Sequence, residues 1–487
     1  MSEAAGVSFL AVAPEIALGL GAVIILLVDV ARHPGPRVHA GLVTLSLAAA
    51  AGLTVWQGAV VRADGASTWF AGMVRLDDFG VVGRGVVVLA TALGMLAAWT
   101  LVSRLGTRGA EALALALVSA TGFMLMAASA HFFVLFLGLE VGSISLYILA
   151  GYVRESPRSD EAAVKYFLLG SFASALFIYG VALAYAGTGA LAFDEVAAAL
   201  GEQTVPAIAY VALALLVGGL AFKVTAAPFH SWAPDVYQGA PAEFVGFMAA
   251  VAKVGGFAGL MLVLLDAFEP VEEVWQGAIA GVAGVSVLVG TIFAIVQDDA
   301  RRMLAYSGVA HAGFLLTGLV AGAAAVPNLW FYLVAYTMVL VTAFAVVAVV
   351  AATSGGDTSM RSLSGLSTRS PFLAAVLAIL LIALAGIPIT SGFVAKFGIF
   401  AAAWGAGFEW LVILGLVASV AAFFFYLRVI VVMYFTAPVQ AEAPGTATAR
   451  PEVPATIRWL AVVVVTVTLV LGVIPGPLLE LLADSAP

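Results

Sequence analysis

The sequence holds four lysines, Lys165, Lys223, Lys253 and Lys396, and each falls inside a long apolar stretch, while most arginines occupy the polar segments between such stretches. Arginine stays charged at any accessible pH. An amine in apolar surroundings is pushed toward neutrality, or held charged by a carboxylate, so it can take up and release a proton. A charge at mid-bilayer costs about 2.5–3.5 kcal/mol on insertion scales, so an ionisable group there reads as functional, with a partner expected. The chemistry these types and positions suit is proton transfer inside a membrane.

A plainer reading stands beside each position. Lys165 sits about one turn inside its stretch, near Arg158 and Glu161, and snorkelling accounts for it as well as a relay role does. Lys253 lies eleven residues into the stretch 242–265, too deep to snorkel. Glu140, in the run Phe136-Leu-Gly-Leu-Glu140, has no basic neighbour on its own span. It reads as the partner of Lys223, each tuning the other's proton affinity; the bland alternative is a protonated glutamate tying two helices together. His311 can accept at one ring nitrogen and donate at the other. It is positioned to link Lys253 to Lys396 with Ser307, Tyr336, Thr342 and water, or else to serve as a hydrogen-bonded structural histidine. His230 reads as a gate or as a satisfied polar group, and Arg428 as an anchor or a relay. His33, His39 and His131 lie near span ends, and no cluster has the spacing of a metal site.

Two proline interruptions sit beside these lysines. In Phe222-Lys-Val-Thr-Ala-Ala-Pro228-Phe-His230, Pro228 lacks an N–H and leaves the Val224 carbonyl without its helical donor. In Gly386-Ile-Pro388-Ile-Thr-Ser-Gly392-Phe-Val-Ala-Lys396, Pro388 does the same to Leu384, and Gly386 and Gly392 loosen the turn. The breaks are expected near 226–231 and 386–392. Lipid cannot satisfy free backbone groups, so both must face protein or water. Paired interruptions in the two halves of an apolar chain point to an ion pathway near the midplane.

The elements that carry these residues follow from composition. The chain has 487 residues, 63% hydrophobic and 10% charged, against about 25% charged in soluble domains. The expected fold is an all-α integral membrane protein with about 14 transmembrane helices. Two of the helices are discontinuous, and two five-helix repeats are inverted relative to each other. The expected divisions are a three-helix segment (1–109), a first repeat (110–265), a second repeat (276–436), and an inner loop with a C-terminal helix (437–487). Residues 191–200 read as a short interfacial helix, and 353–370 and 438–454 as inward loops. The first apolar run, Phe9 to Ala31, reads as a span and not as a cleavable leader. Arg32, Arg37, Arg104, Arg108, Arg154, Arg158, Arg301, Arg302, Arg361, Arg369 and Arg450 fall in alternate loops. This places those loops inside and both termini outside, in a bacterial inner membrane. The net charge of −8 and the lack of a basic patch exclude nucleic acid as a partner. With no cysteine the chain offers no thiolate for an iron–sulfur cluster, zinc or a disulfide.

These stretches resemble the antiporter-like membrane subunits of NADH–quinone oxidoreductase, respiratory complex I, and among them subunit N. The resemblance runs over nearly the whole chain. Besides the segments quoted, it is carried by Leu146-Tyr-Ile-Leu-Ala-Gly-Tyr152, Ala163-Val-Lys165-Tyr-Phe-Leu-Leu-Gly-Ser-Phe, Trp232-Ala-Pro-Asp-Val-Tyr-Gln-Gly-Ala-Pro241 and Arg302-Met-Leu-Ala-Tyr-Ser-Gly-Val-Ala-His311. It implies that Glu140 and Lys223 form a coupling pair, that Lys253 is a central relay lysine, and that Lys396 is the terminal lysine on a broken helix. Lys165 matches a further lysine toward the inner side and His311 a polar position of the central axis. Lysine at 396, where the sister subunit M typically has glutamate, favours subunit N. Ile389 departs from the family, which often has a second proline there. The implied role is proton translocation as a non-redox subunit of a translocase, partnered by other membrane subunits of the complex and the lipid bilayer. The flavin (FMN), iron–sulfur clusters and quinone belong to partner subunits. The competing readings are a subunit of a multisubunit sodium/proton antiporter, a membrane subunit of an energy-converting hydrogenase, and a structural scaffold.

Overall fold

The computed structural model describes residues 8–153, 156–202, 205–438 and 450–487. Arg154 and most of the expected inward loop 438–454 lie outside the described residues. The chain is almost entirely helical. In order it forms α1 (Ala13–Arg32), α2 (Pro36–Asp64), a short antiparallel hairpin of β1 (Ser67–Trp69) and β2 (Val74–Leu76), α3 (Asp78–Val102), α4 (Thr107–Ala127), α5 (Phe132–Ala150), α6 (Pro157–Thr188) and the short α7 (Phe193–Glu202). Then come α8 (Ala207–Lys223), α9 (Trp232–Gly239), α10 (Ala242–Leu262), α11 (Glu272–Ile295), α12 (Ala300–Leu319) and α13 (Val326–Thr353). The last are α14 (Leu366–Arg369), α15 (Pro371–Ala385), α16 (Ser391–Gly405), α17 (Glu409–Phe435), α18 (Ala455–Val473) and α19 (Gly476–Leu482).

Eleven helical segments among the described residues are long and apolar enough to cross a membrane by length and composition. The apolar helices α8 and α15 are shorter, and each is followed by a second half, α9 or α16. The outer surface is studded with large apolar side chains such as Val30, Val55, Val420 and Phe435, all more than 70% exposed. Such a surface is stable against lipid and not against water.

Burial is graded across the bundle. The apolar window of α10 is wholly buried and that of α13 nearly so, while α2 and α18 are mostly exposed. Helix α10 therefore runs down the middle of the protein, packed by α3, α13, α4, α5 and α8. Any polar group on it is cut off from lipid.

Both interruptions are present, with shifted edges. The first leaves helix at Lys223 and resumes at Trp232, so it opens earlier than the expected 226–231. Thr225 adopts φ +63°, and the Ala227–Pro228 bond is cis. The freed groups are satisfied by protein: the Thr225 hydroxyl donates to the Val224 carbonyl, Ala227 N–H to Ser286 Oγ (2.9 Å), and Trp232 Nε1 to the Phe222 carbonyl (3.1 Å). The second break spans only the residues between Ala385 and Ser391. Gly386 ends α15 in the left-handed region at φ +81°, where glycine carries no Cβ penalty. Gly392 is not part of this break but lies in the first turn of α16, where a Cβ would strike the Ala383 carbonyl. Ile389 has φ +74°, which a proline, locked near −65°, could not adopt.

Candidate functional site

Three of the four lysines are buried. Lys223, Lys253 and Lys396 are each at most 6% exposed, whereas the Lys165 side chain is 40% exposed and held by ion pairs to Glu161 and Asp235, both at 2.7 Å. Asp235 also pairs with Arg302 at 2.7 Å. Lys165, Arg158, Glu161, Asp235 and Gln238 line a polar cleft of about 220 Å³ at one end of the bundle. Lys165 thus sits in an open charged cluster and not in the interior with the other three. Asp235 was not singled out from sequence; a carboxylate beside a proline near a span end gave no distinguishing signal.

Lys253 extends from the central helix α10 toward α12 and the first break. Its Nζ donates to the Gly308 carbonyl at 2.6 Å and to Thr225 Oγ1 at 3.2 Å, and lies 5.1 Å from the centre of the Tyr336 ring. A side chain at Gly308 would crowd the Tyr336 hydroxyl (3.2 Å), so the bare glycine leaves room for that hydroxyl. The first helix break thereby supplies a ligand to the lysine of the next helix.

Beyond Tyr336 the path reaches His311 on α12, the two rings being 4.9 Å apart. His311 is bonded at both nitrogens: Nδ1 to the Tyr332 hydroxyl at 2.7 Å and Nε2 to the Tyr426 hydroxyl at 3.3 Å. Tyr426 also shares a hydrogen bond with Ser307. A neutral imidazole gripped by two hydroxyls can pass a proton from one side to the other by exchanging tautomers. Tyr332 and Tyr426 were not legible in the sequence, because aromatic residues are ordinary in apolar helices. Thr342 donates to the carbonyl of Met338 in its own helix and takes no part.

Phe314 bridges His311 to the second break, with its ring 5.8 Å from the imidazole and 4.5 Å beneath Lys396 Nζ. That amine donates to the Ala385 carbonyl (3.0 Å) and to Ser419 Oγ (3.3 Å). Ala385 ends α15, so the cation sits on the negative end of a half-helix. A narrow gap lined by His311, Tyr332, Tyr336, Leu384 and Gly392 lies against this route.

Glu140 and Lys223 do not touch: no ion pair within 4 Å joins them among the described residues. Glu140 instead accepts a hydrogen bond from Ser174, and Lys223 Nζ, though buried, has no hydrogen-bond acceptor among the described residues. The ring of Tyr147, on the same helix as Glu140, lies 5.4 Å from that amine. His230 sits in the first break, half-buried, 6.2 Å from the Tyr306 ring. Its Nδ1 is buried and bonds to nothing among the described residues. Arg428 donates to the carbonyls of Ile295 and Gln297 and pairs with Asp298. It therefore caps the C-terminal end of α11, as a cation does where carbonyls are unpaired, and lies apart from the lysine route.

Residues 110–422 match the family described as NADH:quinone oxidoreductase/Mrp antiporter, transmembrane. The chain is 45% identical over 390 residues to NADH-quinone oxidoreductase subunit N of Mycobacterium tuberculosis, spanning 79% of this chain and 72% of that one. It is 38% identical over 476 residues to NADH-quinone oxidoreductase subunit N 1 of Solibacter usitatus, spanning 97% and 96%. Among solved structures it superimposes on a chain of respiratory complex I from Thermus thermophilus with bound aureothin, with a TM-score of 0.80 and 30% identity, covering 97% of this chain and all of that one.

Proposed function

The chain belongs to the NADH:quinone oxidoreductase/Mrp antiporter family of membrane subunits, and from that premise we propose that it is subunit N of a bacterial NADH-quinone oxidoreductase and carries protons across the membrane for that complex. Electron transfer from NADH to quinone, with its flavin and iron–sulfur clusters, belongs to partner subunits. This chain supplies side chains that move protons and no redox group of its own.

One observation carries the reading. A buried, almost continuous succession of groups runs Lys253, Tyr336, His311, Tyr426 and Phe314, Lys396, with Thr225, Gly308 and Ala385 holding the two lysines. Each member is shielded from lipid, and each lysine is bonded to a helix break or to the helix beside it. Carbonyl and hydroxyl acceptors take the place of water around these amines. Phe314 carries no exchangeable proton, so passage between His311 and Lys396 requires water to enter beside its ring. The helices α4 to α10 and α11 to α17 each contain one broken helix, which supports two repeats of opposite topology. The arginine-bearing end, with the Lys165 cleft, is then the inner face and the point of entry toward Lys223. Both termini lie on the outer side.

The test is made on the assembled complex in proteoliposomes. Replacing Lys253 and Lys396 together with methionine is expected to reduce protons moved per NADH oxidised, with quinone reduction surviving when the gradient is collapsed. Unchanged stoichiometry would reduce this chain to a scaffold. Proton movement that requires sodium and no NADH would favour the antiporter branch of the family.

A further inference from the structure

Lys223 is the last residue of α8, and its amine has no acceptor within hydrogen-bond reach among the described residues. Three aromatic rings surround it instead. The centres of Phe123 on α4, Tyr147 on α5 and Tyr166 on α6 lie 5.9, 5.4 and 5.6 Å from Nζ. All are within the roughly 6 Å over which a ring face attracts a cation. All three rings are buried, so water does not screen the attraction.

The enclosure is built and not incidental. Tyr147 and Tyr166 meet edge to face, 4.6 Å apart at 80°. Tyr166 is stacked on Trp232 at 4.3 Å and 9°, and Trp232 stacks in turn on Phe222 and donates to its carbonyl. Trp232 opens α9, the second half of the broken helix. Tyr166 is therefore held against both halves of that helix, through Phe222 and Trp232, next to the lysine.

We propose that Phe123, Tyr147 and Tyr166 form an aromatic cage that holds the Lys223 ammonium in place of a contacting carboxylate, which makes all three positioning residues for proton transfer. The cage makes its contacts with Lys223 without any bond from that amine to Glu140. Glu140 acts across Tyr147 by its field, and the rings keep the amine from collapsing onto it. The cage thus allows Lys223 to change partner without breaking an ion pair. This inference rests on the proton-carrying role proposed above.

The rings and the hydroxyls make separable demands. In the assembled complex, positions 147 and 166 are replaced one at a time by phenylalanine, then by mono-, di- and trifluorophenylalanine, and by leucine. Proton translocation in proteoliposomes is followed with Lys223→Ala as reference. Phenylalanine is expected to retain translocation, the fluorinated series to lose it stepwise, and leucine to lower it about three- to tenfold. Fluorination withdraws the negative ring face with little change of shape, so a purely structural role would leave the series flat. A flat series, or loss with plain phenylalanine, overturns the cage. If Lys223→Ala itself leaves translocation intact, the underlying proton-carrying role fails, and the two failures are thereby told apart.

Discussion

Lys396 Nζ lies 3.0 Å from the carbonyl oxygen of Ala385, so a cation on the second half of a broken helix closes the last turn of the first half. The contact serves structure and chemistry together. Methionine at 396 leaves a buried carbonyl unpaired and removes the cation from a helix C-terminus, at a cost of about 1–3 kcal/mol. Lys396→Arg keeps the charge and a donor but cannot release its proton. We expect Lys396→Met to lower both the melting temperature of the detergent-solubilised complex and its proton translocation. Lys396→Arg is expected to spare the former and lose the latter. Full translocation with arginine would show that position 396 needs only a fixed charge.

Thr225 has two tasks in one hydroxyl: it donates to the Val224 carbonyl and accepts from Lys253 at 3.2 Å. Valine has nearly the same shape and can do neither. Thr225→Val is expected to destabilise by about 1–3 kcal/mol, the cost of a buried acceptor without a donor, and to slow translocation. Thr225→Ser should retain most of both. Thermal unfolding and proteoliposome assays on the two variants decide it; equal behaviour of valine and serine would remove the hydroxyl from the account.

His311 and Tyr426 supply a test of coupling. Phenylalanine at 426 removes the hydroxyl that Ser307 and His311 Nε2 share, and glutamine at 311 removes the imidazole. If the two act in one relay, their effects on translocation should not add. A double-mutant cycle should then show a coupling of about 0.5–3 kcal/mol, converted from rate ratios. Tyr332→Phe, at the other nitrogen, should couple to His311→Gln in the same way. Strict additivity at both positions would leave His311 as a structural group.

The sequence made the backbone of this site legible because hydrocarbon penalises every polar group. A lysine, histidine or proline in an apolar run stands out against neighbours that carry no such cost. Lys223, Lys253, His311, Lys396 and both helix breaks were visible for that reason. What lipid tolerates was hidden. Tyr332, Tyr426 and the cage rings have the composition of any buried helix, and only packing joins them to the lysines. Opposite charges on two spans pointed to Glu140 and Lys223 as mutually tuned groups but say nothing of the distance between them, and among the described residues no ion pair joins the two. Lys165 looked like its three fellows by type and was separated from them by Asp235 and Arg302, partners that no spacing announces. Glu15 and Arg84 were missed altogether, because neither has an oppositely charged residue within four positions along the chain and each has its partner in another helix.

That last pair yields the strongest stability effect expected in the molecule. Arg84 on α3 is fully buried and bonds Glu15 of α1 through Nε at 2.7 Å and the Ala11 carbonyl through Nη2 at 2.9 Å. Nearby, Gln57 of α2 also donates to Ala11 and Leu10, so the pair and Gln57 together pin the three N-terminal helices. Removing one member of a buried ion pair strands the other charge, at about 3–5 kcal/mol, whereas replacing both with apolar groups of similar volume is often neutral or stabilising. Arg84→Met should therefore lower the melting temperature sharply, and Glu15→Leu likewise. The double variant should recover most of the loss, with translocation unaffected wherever the complex assembles. Unfolding the three variants in detergent checks the ordering. A double variant no more stable than its worse parent would mean that the charges, and not merely their mutual neutralisation, hold the N-terminal helices in place.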